Sequence, residues 1–111
     1  MGTHRKSTPD RPAPLFAALG DETRLQLVSR LCREGPLSIT RLAEGSRMTR
    51  QAITKHLRVM EGARLLECTR RGRETLWKLD EQRLDDARRY LSLISKQWDD
   101  ALERLRSFVE D

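Results

Sequence analysis

From Asp80 to its last residue, Asp111, the sequence contains neither glycine nor proline. Asp80 stands where a helix N-cap would. The residues after it place apolar side chains on a heptad. Leu84, Leu91, Trp98 and Leu105 share one phase, Ala87, Ile94, Ala101 and Phe108 the other, and Leu102 and Val109 widen the seam. At 1.5 Å per residue, about thirty residues make a rod roughly 45 Å long. A chain of 111 residues buries one modest core and has no need of such a length to cover it. Heptads kept in register over this span predict helix-to-helix packing, and the length favours a partner helix over a fold-back onto the chain's own domain.

Three segments follow from the rest of the chain: a flexible arm over 1–14, a folded domain over 15–79 and the rod over 80–111. The arm, "MGTHRKSTPDRPAP", has three prolines and no periodic apolar signal. It is too polar for a secretory signal, and no apolar run is long enough to span a bilayer, so cytoplasmic residence is the expectation. Cys32 and Cys68 belong to no CxxC or CxC unit, and a secreted disulfide scaffold of this length carries more cysteines. They read as packed or half-packed thiols in a reducing compartment.

Within 15–79 the helix signals come in order. Leu15, Phe16 and Leu19 lie at helical spacing and Gly20 closes that first short helix. Asp21 caps a second, with Leu25, Val28, Leu31 and Cys32 as its inward stripe and Gly35-Pro36 as its end. Ser38 caps a short third helix whose Ile39, Leu42 and Ala43 face inward and which stops at Gly45, and Thr49 caps a fourth. Next, "LLECTRRGRETLWKL" alternates apolar and polar residues on both sides of Arg71-Gly72-Arg73, as a β-hairpin with Gly72 at the turn would. Helices joined by a tight turn, then a basic hairpin, predict a mainly α fold with a small β-wing: a winged helix-turn-helix carrying a long C-terminal helix.

Charge and helical geometry point the same way. Residues 36–79 hold ten Lys/Arg against four Glu, whereas residues 80–111 hold six against nine acids. The positive field sits in the middle third, as a polyanion-binding surface requires. On the fourth helix, Leu57 and Met60 lie within about 40° of Ile53, whereas Gln51, Thr54, Lys55 and Arg58 lie roughly 100–200° away. The polar face is therefore opposite the core face. Gln can pair with adenine, Lys and Arg with guanine acceptors or phosphates, and Thr with base edges or a thymine methyl. Thr49 and the free amides at the helix start can hold a phosphate. Arg70, Arg71 and Arg73 at the wing tip would reach backbone or minor groove.

The segments "LFAALGDETRLQLVSRLCREGPLSITRLAE", "MTRQAITKHLRVMEGARLL" and "RRGRETLWKLD" resemble the ArsR/SmtB family of bacterial transcriptional regulators, from about Leu15 to Asp80. The trailing "QWDDALERL" is similar to that family's metal-independent branch. The resemblance implies a homodimeric repressor of double-stranded DNA whose first and last helices form the dimer interface. Leu15, Phe16, Leu84, Leu91, Ile94, Trp98, Leu102 and Leu105 would then meet the partner copy, and Thr49, Arg50, Gln51, Thr54, Lys55 and His56 would line the DNA side. The family usually carries Gly where this chain has Arg64, at the end of the reading helix. A non-glycine there costs ~1 kcal/mol if left-handed, and Gly62 offers an alternative helix end.

Metal-sensing relatives use a CxC-type motif in the third helix, or His and carboxylate pairs on the last. This chain has no Cys or His in the third helix and no His in the last. Cys32, Cys68, His4 and His56 are too few and too scattered for the three or four ligands of a zinc or soft-metal site, so neither metal nor cofactor is expected. His56 reads as a half-buried side chain at the DNA backbone or as packing. A thiol switch through Cys32 and Cys68 is an alternative, as is a protein-interaction module working through the rod. An effector would bind along the seam near Trp98, although a Trp there more often packs. Nothing suggests an enzyme: there is no nucleophile–base pair, no Gly-rich phosphate loop and no evident carboxylate pair in a cleft.

Overall fold

Capping side chains decide where most of the helices begin. In the computed structural model, which describes residues 11–110, helix α1 (Pro12–Leu19) starts three residues ahead of the expected Leu15. The prolines read as marks of a flexible arm are the reason: Pro suits the first turn of a helix, where its missing N–H costs nothing. The remainder of the expected arm, residues 1–10, lies outside the described residues. Asp21 caps α2 (Glu22–Glu34) as expected, accepting from the Arg24 backbone N–H at 3.0 Å. The buried stripe of α2 differs in phase. Leu27 and Leu31 are buried, whereas Leu25 is half exposed and Cys32 is exposed. Leu25 and Cys32 fall on the side of the helix turned away from the core.

Leu37–Ser38 forms a two-residue strand, β1, before α3 (Ile39–Ala43), which Ser38 caps by accepting from the Arg41 N–H at 3.2 Å. Thr49 caps α4 (Arg50–Gly62), accepting from the Ala52 N–H at 3.0 Å. At the other end of α4 the backbone N–H of Leu65 donates to Met60 and that of Arg64 to Glu61, both at 2.9 Å. This is a Schellman closure with Arg64 in the left-handed position at φ 66°. Gly62 is the last residue of the helix, and the left-handed closing position falls on Arg64 and not on that glycine. We expect Arg64→Gly to stabilise the fold by about 1 kcal/mol by removing the Cβ penalty. In thermal melts that is a rise of a few degrees.

Strands β2 (Leu66–Arg71) and β3 (Glu74–Leu79) pair antiparallel from Leu66↔Leu79 to Arg71↔Glu74. Only Gly72 and Arg73 are left as the turn, and Gly72 takes φ 63° there. The hairpin is part of a three-stranded sheet of order β1-β3-β2, in which Leu37 and Ser38 pair with Trp77 and Leu76. Sequence patterning missed β1 because two residues carry no periodicity. The core joins Leu15 and Ala18 of α1, Leu27 and Leu31, Leu42, Ile53, Leu57 and Met60 of α4, Leu65, Leu66 and Trp77.

Helix α5 (Glu81–Glu110) opens on Asp80, which accepts from the Arg83 N–H at 3.2 Å. Its first turns add Ala87 and Leu84 to the core, and Tyr90 stacks at a tilt on Phe16 with 5.7 Å between ring centroids. Beyond Tyr90 the helix leaves its own domain. Leu91, Trp98, Leu102, Leu105, Phe108 and Val109 are all at least half exposed, and none of the described residues after Ala87 is buried. The radius of gyration, 17.9 Å, exceeds the ~13 Å of a compact domain of this length for that reason.

Candidate nucleic-acid interface

Helix α4 buries Ile53, Leu57 and Met60 completely, so its opposite face must meet solvent. Gln51 and Lys55 on that face are exposed, and Thr54 is partly so. None of these three side chains has a hydrogen-bond or ion-pair partner among the described residues. The same holds for Arg47 in the turn before α4 and for Arg70, Arg71 and Arg73 at the wing tip, all exposed. On α2 and α5 several arginines are paired instead, although Lys96 and Arg104 of α5 have no side-chain partner among the described residues. Arg30 meets Glu34 at 3.0 Å, Arg89 meets Asp85 at 2.8 Å and Arg106 meets Glu103 at 3.3 Å. An uncommitted cation keeps its full charge for an external anion, whereas one paired with a neighbouring carboxylate presents little net field.

Three residues expected on this face have partners of their own. Arg58 donates to Glu61 at 2.9 Å and lies over the Trp77 ring, 5.4 Å from its centroid, so it braces α4 against β3. Arg50 donates to the Thr40 hydroxyl at 2.8 Å and ties α4 to α3 across the turn. His56 is mostly buried, its Nδ1 3.3 Å from an Arg24 terminal nitrogen and 3.9 Å from Asp21. The Asp21 carboxyl is held below its ordinary range, chiefly by the Arg24 backbone N–H and then by the charges of Arg24 and His56. Sequence reasoning named His56 but missed Arg24, its partner. The Asp21-x-x-Arg24 spacing at a helix start was the only available hint.

The rod residues divide in two. Leu15 is 1% exposed and enclosed by its own chain, so it has no surface left for a partner. The reading of Leu15 as an interface residue is corrected accordingly: it supports α1 from within. Leu84 packs largely on the same core and Phe16 is only partly covered. Leu91, Trp98, Leu102 and Leu105 remain as an exposed apolar stripe, with Ile94 half-buried beside it. A contiguous stripe of this kind is unusual on a monomer.

Both cysteines are exposed, against the expectation of packed thiols. Cys68 donates weakly to Glu61 at 3.7 Å. No three His, Cys, Asp or Glu side chains converge on a point that could hold a metal among the described residues. No helix among them is long and apolar enough to cross a membrane.

Known proteins share this arrangement. Residues 19–69 match a family described as a helix-turn-helix domain. The HTH-type transcriptional regulator Rv2034 of Mycobacterium tuberculosis is 38% identical over 80 residues, 72% of this chain and 69% of that one. The transcriptional repressor SmtB homolog of Synechocystis sp. is 34% identical over 67 residues, 60% of this chain and 50% of that repressor. An ArsR-like transcriptional regulator from Rhodococcus sp. RHA1, of solved structure, superposes with a TM-score of 0.72 at 32% identity, covering 97% of this chain and 96% of its own.

Proposed function

Since this chain belongs to the ArsR/SmtB family of winged helix-turn-helix regulators, a non-enzymatic DNA-binding family, we propose that it is a homodimeric repressor of a near-palindromic operator. The observation that carries this reading is the set of unpartnered side chains. Gln51, Thr54 and Lys55 on α4 stand with Arg70, Arg71 and Arg73 on the wing, wholly or partly open to solvent and without side-chain partners among the described residues. In this arrangement α4 enters the major groove and reads base edges, while the wing arginines hold backbone. Thr49 and the first amides of α4 hold a phosphate, and Arg50, His56 and Arg58 set the helix in place.

The homodimer rests on the apolar stripe of α5 from Leu91 to Leu105, which its own domain leaves uncovered. Paired rods would set two α4 helices about 34 Å apart, one turn of B-form duplex. The repressor role rests on the Synechocystis relative, which is named as one. Regulation without metal rests on the side chains available. Both cysteines stand apart from any ligand cluster, and the Nδ1 of His56 already faces Arg24.

Selection from a randomised duplex library tests the reading. The expected outcome is enrichment of dyad-symmetric sites with half-sites one helical turn apart. Affinity should also fall steeply with salt, with a log–log slope of roughly −5 or steeper if six or more phosphates are contacted. A slope near zero, or no enriched dyad, would overturn it.

A further inference from the structure

Arg83 is 3% exposed, on the first turn of α5. Burying an arginine is costly, and an apolar side chain of similar volume would fill the space without that cost. A guanidinium supplies something an apolar residue lacks: a rigid planar fork of donors. Its Nε donates to the Ala63 carbonyl at 3.1 Å and one terminal nitrogen to the Arg11 carbonyl at 2.9 Å, while the other lies 3.9 Å from Asp86. Ala63 is the C-cap of α4 and Arg11 the N-cap residue of α1. One side chain thus joins the rod, the end of the reading helix and the start of α1.

The far end of α1 holds a matching contact. Arg24 donates from Nε to the Ala18 carbonyl at 2.6 Å, and its terminal nitrogen meets His56 Nδ1 on α4. Helix α4 is therefore gripped at residues 56 and 63, about 10 Å apart along its axis. A single attachment leaves a helix free to swing, whereas two fix its tilt.

We propose that Arg24 and Arg83 are positioning residues that lock the reading helix to the dimerisation rod through α1, and so fix which half-site spacing the protein accepts. The inference rests on the homodimeric DNA-binding reading above. One base pair of extra spacing moves a half-site by about 3.4 Å and turns it by roughly 35° about the duplex. A locked pair of reading helices rejects that change, and a loosened pair follows it.

The test uses the full chain and duplexes carrying the selected half-sites at spacings from two base pairs shorter to two longer. Wild type should prefer one spacing by about tenfold or more. Arg83→Met and Arg24→Met should flatten that preference to about threefold or less, while binding to a duplex with one half-site changes less than about twofold. Arg83→Lys keeps the charge but loses the fork. It should flatten the profile partly, and it serves if the methionine variant fails to fold, as judged by circular dichroism. Folded variants that keep the wild-type spacing profile and lose only thermal stability would overturn the positioning role while leaving the dimeric reading intact. A wild type that selects no paired half-sites would overturn both.

Discussion

If the rods pair as proposed, replacing Leu91 and Leu105 together by Glu should turn the protein into a monomer in sedimentation velocity and lower its affinity for its selected duplex by about a hundredfold or more. Each leucine is more than half exposed on its own chain, so the fold itself loses little from the change. In a paired rod the exposed half of each would leave water, a gain of about 1–1.5 kcal/mol per side chain on an area basis. The double variant removes four such side chains per dimer and puts four carboxylates into the seam, where burial opposes their ionisation. Loss of pairing uncouples the two half-sites, and joining two sites typically adds a factor of 10²–10⁴ in affinity. Circular dichroism should show the domain still folded, because its core from Leu15 to Trp77 closes within one chain. A variant that remains dimeric would show that another face makes the contact.

The second large effect separates reading from holding. Gln51→Ala should leave binding to random duplex within about twofold. Discrimination should weaken at one base pair of each half-site by about 1–3 kcal/mol, a factor of roughly 5–150, which is the worth of one bidentate base contact. Arg71→Ala combined with Arg73→Ala should do the opposite. All duplexes weaken by a similar factor, and the salt slope becomes shallower by about four, because each lost phosphate contact takes roughly 0.9 from it and the dimer loses four. Titrations of cognate and random duplex at several salt concentrations measure both effects. Equal losses on both duplexes for Gln51→Ala would contradict base reading by that residue.

Much of this was legible before any coordinates, because it depends on local chemistry. Asp21, Ser38, Thr49 and Asp80 cap helices as their side chains predict. Gly72 turns the hairpin, and the phase of α4 separates Ile53, Leu57 and Met60 from its polar face. What escaped depends on contacts distant in sequence. Strand β1 exists only because Trp77 and Leu76 pair with it. The phase of α2 was read one step off because Leu25 and Cys32 are apolar enough to pass for core. Arg58 looked like a DNA ligand on the helical wheel. A wheel cannot show that Arg58 also meets Glu61 and the Trp77 ring within its own chain. The burial of Arg83 was not legible either, since nothing local distinguishes it from the arginines that follow it.

The two tryptophans occupy opposite settings. Trp77 is 4% exposed within one chain, whereas Trp98 is 66% exposed on the unpaired rod. Any change in the chain's intrinsic emission as its concentration rises therefore originates almost wholly from Trp98. A blue shift on mixing reads association directly, with no added label, and the Trp77 signal stays constant as an internal reference.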